Sequence, residues 1–411
     1  MTSSPRNPER RGSAGLVLLL GALTAFAPMS IDMYLPAFPA IARDLQAPLA
    51  TVQLTVAAFL AGSAVGQLFY GPLADRWGRR PPLIAGILLY IVATAGCAAS
   101  RSVEALLAWR VVMALGGGAG MVIARTVVRD LYDTTAAARM FSLLMLVMGL
   151  APILAPLAGG QLLLLAGWRG IFVFLALFGL VTLAATLLRL PETLPPGQRA
   201  GTGPAAALAA YGELLRHRPY LLYAVSLGCI AGVNFAYISG APFLFIELHG
   251  ISPQLFGVFF AARAAGLIGA SQLNRRLLRT RHPRQILTAA FLVNAASSLL
   301  FALAGSTGIG GFPLQAGLIF VSLCMTGFLY PNATALALAP FGSRAGSASA
   351  LLGTIQYGIG ACAGGAVGAW HTGTPVPVAA TMAACAVTGL CAALGARRSE
   401  GQGDTGAPAE S

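Results

Sequence analysis

Two charged residues stand inside long apolar runs, where charge is costly. Asp32 follows "LVLLLGALTAFAPMSI" and Arg110 follows "VEALLAW". Burial disfavours the charged form of a carboxyl group, and a nearby guanidinium favours it. A site poised between those two effects can take up and release a proton. At about 1.5 Å per helical residue, Asp32 lies roughly 24 Å along a helix that starts near Leu16. Arg110 lies roughly 12 Å along one that starts near Ser102 and runs the other way. Their depths are compatible to within one or two turns. The competing reading is structural, with Asp32 solvated at an interface or Asp32 and Arg110 forming a plain ion pair.

A third charge, Arg263, falls near the middle of another apolar run, and the stretch from Phe256 to Gln272 contains no Asp or Glu. Facing a watery cavity, Arg263 would favour neutral, zwitterionic or anionic substrates. Otherwise it is one member of a buried ion pair. Tyr34, Asn234, Tyr237, Tyr330, Asn332 and Gln356 are further polar groups inside runs and, with Arg263, form the candidate substrate pocket. Pro152 and Pro156 remove backbone donors from another run and are expected to bend it.

The segment "GPLADRWGRR", residues 71 to 80, packs Asp75, Arg76, Arg79 and Arg80 into a chain that is only 9% charged. A topology signal accounts for the arginines. It does not account for Asp75, which can cap a helix or pair with an arginine. Nor does it account for Gly71 and Gly78, which permit a tight turn and close helix approach.

These residues must be positioned by helices in a membrane. Hydrophobic residues make up 57% of the 411, and the mean hydropathy is +0.76. Charges are bunched between apolar runs of roughly 20 residues, the length that crosses about 30 Å of hydrocarbon. The runs are continuous rather than alternating, which disfavours a barrel. The first run continues to Pro36, too long for a signal-peptide core. The expected fold class is an all-α membrane protein of twelve transmembrane helices. The spans lie near 15–37, 50–70, 82–100, 103–124, 139–161, 168–189, 219–240, 253–273, 285–304, 313–335, 346–369 and 376–395. They divide into a head (1–14), a six-helix half (15–190), a Pro/Gly-rich linker (191–218), a second six-helix half (219–396) and a disordered tail (397–411).

All 26 cations are arginine. With the N-terminus in the cytoplasm, Arg43, Arg101 and Arg169 fall outside, Arg110 and Arg263 inside spans, and every other arginine on the cytoplasmic side. The net charge of +13 then reflects topology rather than a nucleic-acid partner. The six cysteines lie inside spans without metal-type spacing, and the four histidines are scattered. No metal, cofactor or enzymatic nucleophile set is expected, and the absence of a GxxxxGK[ST] loop argues against an ATP-driven pump. "QLNRRLLR" at 272–279 is a degraded counterpart of "LADRWGRR", with Asn274 at the place of Asp75. Parallel six-span halves around a central site are a transporter architecture.

At residues 71–80 the chain resembles the loop 2–3 signature of the major facilitator superfamily. "SIDMYLPAFPAIARDL" (30–45) and "LAWRVVMALGGGAGMVIARTVVRDLYD" (107–133) resemble signatures of its twelve-span drug:proton antiporters, the Bcr/CflA subfamily best. "APILAPLAGG" (151–160), with Pro152, Pro156, Gly159 and Gly160, resembles the antiporter motif. "YISGAPFLFIE" (237–247) and "YPNATALALAPFGSRAGSASALLG" (330–353) are similar to the same subfamily. The resemblance implies the major facilitator fold and proton-coupled export of small organic compounds or drugs from the cytoplasm of a bacterium, across its inner membrane. Both termini would be cytoplasmic, and a monomer working without cofactor is expected. It assigns proton coupling to Asp32, tuned by Arg110. It assigns a conformational latch to Gly71, Asp75, Arg76, Gly78, Arg79, Arg80 and Asp130, which pairs with Arg79. Met113 departs from the glutamine common in the fourth span, and Ala155 from the glycine common before the second proline. An exporter of one metabolite, such as an amino acid, is the alternative. A non-transporting sensor on the same scaffold is the third reading.

Overall fold

The computed structural model describes residues 14–132, 134–194, 204–341 and 345–404. The head at 1–13 and the end of the tail lie outside them. All regular structure among the described residues is helical. The first half comprises α1 (Ala14–Asp32), α2 (Phe38–Asp44), α3 (Leu49–Trp77), α4 (Arg80–Ala99), α5 (Val103–Leu131) and α6 (Thr134–Arg189). The linker holds α7 (Pro204–Arg216). The second half comprises α8 (Arg218–Ala241), α9 (Pro253–Leu277), α10 (Pro283–Thr307), α11 (Gly311–Cys324), α12 (Thr326–Leu338), α13 (Ala345–Ala369) and α14 (Val376–Asp404).

Local chemistry sets many of the boundaries. Ser102 and Ser252 cap α5 and α9, accepting from the amides of Ala105 (3.2 Å) and Leu255 (3.3 Å). Such caps satisfy amides that have no partner within the helix. Pro253 and Pro283 start their helices at the first position, where no backbone donor is needed. After α1 the chain makes a 3₁₀ turn at Leu35–Ala37, and after α8 a π-helical turn at Pro242–Glu247.

Among the described residues, eleven segments have the length and hydropathy to cross a membrane. One of them lies in α6, which breaks at Gly167, where φ is 67° and only glycine is at ease. Its two arms are two spans, which makes twelve. The break falls at Gly167, not at Pro152 or Pro156, which lie within the first arm. α11 and α12 join into one span, Gly311–Leu338.

Two boundaries differ from the expected ones. The second span runs on to Trp77, so Gly71, Asp75 and Arg76 sit in the last turns of α3 rather than in a loop. Gly78, with φ 91°, makes the turn alone. The space beside Gly71 is open, so it serves no close helix approach. The tail is not disordered from its start, because α14 continues to Asp404. The small residues there (Ala392, Ala393, Gly395, Ala396) leave nothing to stop the helix.

The halves meet along two seams. In the first, α3 lies against α13: Gly368 sits beside Ala50 and Leu54, and Thr354 donates to the Ala64 carbonyl (3.4 Å). In the second, α6 lies against α9, where Gly160 approaches the Pro253 carbonyl and Gly257 approaches Leu157. Gly159 lets α6 lie on the Met33 carbonyl, a place with no room for a Cβ. One apolar cluster runs through the first half and crosses into the second at Tyr237, Phe243, Phe245, Phe256 and Phe260. A second cluster, around Tyr220, Ile286, Phe291 and Leu329, belongs to the other end of the second half, and from the first half only Leu68 packs against it. The shared apolar core thus sits at the end carrying the 3₁₀ and π turns.

Candidate functional site

The turn between α3 and α4 is built around Arg79, which is 6% exposed. Its Nη1 donates to Asp75 Oδ1 (2.5 Å), and its Nε and Nη2 donate to the two oxygens of Asp130 (2.8 and 3.4 Å). Asp75 lies four residues earlier on α3, and Asp130 in the last turn of α5. Burial works against the Arg79 charge, but the hydrogen bonds and charges of Asp130 and Asp75 outweigh it and hold the guanidinium above its ordinary pKa. Two groups that sequence reasoning missed complete the cluster. Thr193 donates to Asp130 Oδ2 (2.8 Å). The Glu192 carboxylate accepts from the backbone amides of Arg79 (2.8 Å), Arg80 (3.1 Å) and Leu194 (3.0 Å), capping α4 from beyond the end of α6. The signal available was "PET" directly after the sixth span. Arg80 reaches the Leu187 carbonyl (2.6 Å), and Arg76 is exposed. The cluster therefore ties α3, α4, α5 and the end of α6 to one another, all within the first half.

Asp32 is the last residue of α1 and is 4% exposed, and its Oδ1 has no hydrogen-bond partner among the described residues. It does not pair with Arg110, contrary to the expectation from depth. Arg110 is fully buried and donates to the Ser30 carbonyl (2.8 Å). Its guanidinium lies between the rings of Tyr34 (4.2 Å) and Phe59 (4.4 Å), with no carboxylate in contact. The reason is rotational. Ser30 and Asp32 are two residues apart, about 200° around a helix. Ser30 faces the interior of the first half, where its hydroxyl meets Tyr90 (2.9 Å). Asp32 therefore turns away from Arg110 and towards the second half.

Across the seam from Asp32 the second half carries Arg263, on α9, which makes no ion pair with it. Arg263 is half-buried and donates to Asn234 Oδ1, and its guanidinium stands 5.5 Å from the Tyr237 ring centre and 5.9 Å from that of Phe260. No Asp or Glu occurs anywhere from Leu248 to Ser399. The acid that this half does contain, Glu247, is exposed at the end of the π-helical turn, and Arg263 has no carboxylate within ion-pair distance among the described residues.

The remaining pocket candidates divide. Asn234, Tyr237 and Arg263 come together opposite Asp32. Tyr330 and Gln356 are half-buried on α12 and α13. Tyr34 leaves the group, because it is fully buried, bonded to Thr55 (2.8 Å) and packed on Phe38 and Phe172 as a wall for Arg110. Asn332 leaves it too, because its amide donates to Asn274 Oδ1 (2.7 Å) and the Phe328 carbonyl (2.8 Å). Both are polar groups satisfied inside one half. Arg125, which sequence reasoning counted only as a topology signal, is exposed on α5 and interacts electrostatically with Tyr357 of the other half. Among the described residues no cluster of ligating side chains could hold a metal ion.

Twelve spans among the described residues, in two halves that meet along two seams with a charge on each side, are the arrangement of a membrane transporter. The description of the Major Facilitator Superfamily matches residues 20–399, and the chain belongs to that family. It is 37% identical to the "Uncharacterized MFS-type transporter YdgK" of Bacillus subtilis (strain 168), over 95% of this chain and 97% of that protein. It is 30% identical to the "Bicyclomycin resistance protein homolog" of Haemophilus influenzae, over 93% and 96%. It is 32% identical to the "Multidrug resistance protein MdtL" of Escherichia coli (strain K12 / DH10B), over 82% and 83%. Among solved structures, the xylose transporter XylE from E. coli in a partially occluded inward-open conformation superposes with a TM-score of 0.71 at 13% identity, covering 92% of this chain and 96% of that one. An occupied, inward-facing bacterial homologue of the lysosomal transporter Spinster gives 0.70 at 16%, covering 97% and 98%. At these identities the two structures speak for the fold.

Proposed function

We propose that the protein is a proton-coupled antiporter that exports small organic compounds, drugs among them, across a bacterial inner membrane. The names of the bicyclomycin-resistance and multidrug-resistance relatives support efflux over a single-metabolite exporter or a sensor. The observation that carries the coupling is Asp32, buried at the seam with an unpartnered oxygen and the Arg263 charge across from it. When the halves rock, the distance between Asp32 and the second half changes, and so does the balance that decides its protonation. The proton gradient supplies the energy, with no cofactor, and the arginine excess supports termini in the cytoplasm. The Arg79 cluster is the latch the resemblance implies, stabilising the outward-facing state and breaking as the halves rock. A single copy suffices, since both charges lie in one chain.

The test is transport in proteoliposomes with an imposed pH gradient and a panel of antibiotics and cationic dyes. Asp32→Asn should abolish gradient-driven transport while leaving the thermal transition of the purified protein near that of wild type. Undiminished gradient-driven transport in a folded Asp32→Asn protein would remove Asp32 as the coupling site.

A further inference from the structure

The end of α9 and the turn into α10 present Arg275, Arg276, Arg279 and Arg281, all exposed. None of the four has a carboxylate partner among the described residues. The acid of this half, Glu247, lies beyond the opposite end of α9, and no Asp or Glu occurs from Leu248 to Ser399. Asn274 and Leu278 stand at the places of Asp75 and Arg79, so the turn keeps the counterparts of the outer Arg76 and Arg80 with no acid beside them. Topology alone needs cations on that face of the membrane, but it does not need them around one cavity.

The arginines line such a cavity. Gln272, Arg275, Arg276, Arg279 and Thr280 surround about 640 Å³. Next to it, on the same helix end and turn, Leu277 and Arg281 begin a second, apolar hollow of about 440 Å³. This one runs along α10 through Ile286, Ala289 and Val293 and is closed by Met325 and Phe328 of the neighbouring span. Leu292, Val293, Leu299 and Leu300 are exposed along α10, so this flank belongs to the lipid-facing surface. A set of unneutralised guanidinium groups at the membrane edge, continued by an apolar hollow towards the bilayer interior, matches a molecule with a phosphate head and an acyl chain. Arg is suited to phosphate by its planar fork of donors, and basic pockets at helix ends of that kind take anionic lipid heads.

We propose that the turn between α9 and α10 is a binding site for an anionic phospholipid of the adjoining leaflet. The phosphate is held by Arg275, Arg276 and Arg279, and one acyl chain lies in the hollow bordered by Ala289 and Phe328. The site lies outside the transport pathway and does not depend on the antiport reading.

The test uses the full-length purified protein and lipid retention by native mass spectrometry, with the lipid-dependent rise of the thermal transition as a second readout. Dioleoyl phosphatidylglycerol should be retained and stabilising, and dioleoyl phosphatidylcholine much less so. The triple variant Arg275→Gln, Arg276→Gln, Arg279→Gln should weaken phosphatidylglycerol binding on the order of 100-fold, given about 1 kcal/mol per arginine near a lipid surface. The variant Arg397→Gln, Arg398→Gln removes charge from the end of α14 and should leave retention unchanged. Ala289→Phe fills the hollow with every arginine in place and should lower retention of the two-chain lipid. Equal retention of the two lipids, or a triple variant that binds phosphatidylglycerol like wild type, overturns the proposal. Equal binding of soluble glycerol phosphate identifies a free-anion site and overturns it as well. Unchanged binding in Ala289→Phe overturns the acyl-chain placement.

Discussion

The turns after α3 and after α9 occupy equivalent places in the two halves, 199 residues apart, yet they solve the same burial problem by different chemistry. In the first, Asp75, Arg79 and Asp130 form a charged cluster backed by Thr193 and Glu192. In the second, Asn274 stands at the place of Asp75 and Leu278 at the place of Arg79. Arg76 and Arg80 have counterparts in Arg275 and Arg279. The acid and the arginine that neutralised it have disappeared together, and a neutral amide pair, Asn274 with Asn332, fills the space. A buried charge without its partner is costly, so one half of such a pair cannot be kept alone. The outer arginines are solvated and carry no such constraint.

Breaking the charged side should have the largest effect. Arg79→Ala leaves Asp130, only 18% exposed, facing Asp75 without the cation between them. Loss of about 3 kcal/mol is expected, at the lower end for a broken buried pair because Asp75 is half-exposed. Thermal unfolding in detergent measures it, and a shift near zero would mean that the cluster does not hold the first half together.

A smaller effect is expected from transplanting the acid. Asn274→Asp places a carboxylate at a site 3% exposed, beside the Asn332 amide and without an arginine in reach. It should cost about 2 kcal/mol, the range for burying an unpaired polar group. Adding Leu278→Arg should restore part of that loss. The coupling between the two substitutions, read from a double-mutant cycle, should be about 1 kcal/mol or more. Zero coupling would show that the equivalence of the two turns is in sequence only.

The smallest effect is expected at Glu192. Glu192→Gln keeps an acceptor but removes the charge that the amides of Arg79 and Arg80 at the start of α4, and that of Leu194, point to. About 1 kcal/mol should be lost, the usual scale for a charged group at a helix N-terminus. The same shift measured at high salt should shrink, since the pair is partly exposed and screened.

The spans were legible because apolar length alone decides whether a helix crosses a bilayer. The pairing of Arg79 with Asp130 came from the family resemblance; its pairing with Asp75 came only with the structure. Glu192 and Thr193 were not legible, because nothing local in "PET" says which helix end it will cap. Tyr34 and Asn332 were misplaced for a related reason. A polar group inside a span is either a ligand to something in the cavity or a partner to another protein group, and the sequence does not say which. Hydrogen bonding inside one half claims both of them. Arg125 was obscured by the opposite error, since an arginine near a helix end satisfies the topology rule whether or not it also faces the other half.

The sequence by itself determined that Asp32, Arg110 and Arg263 lie inside the membrane, and at what depth, because rise per residue is fixed. It also determined that the arginines from Arg263 to Arg398 have no acid in their own stretch of chain, because none occurs between Leu248 and Ser399. Which of the two intramembrane arginines faces Asp32 was decided only by the tertiary structure. Depth follows from counting residues, but facing depends on the rotation of each helix about its own axis, and that rotation is set by what packs around it. Ser30 turns to Tyr90 and Arg110 within the first half. Two residues further on, the helix has turned Asp32 away from Arg110 and to the seam, on whose other side Arg263 stands.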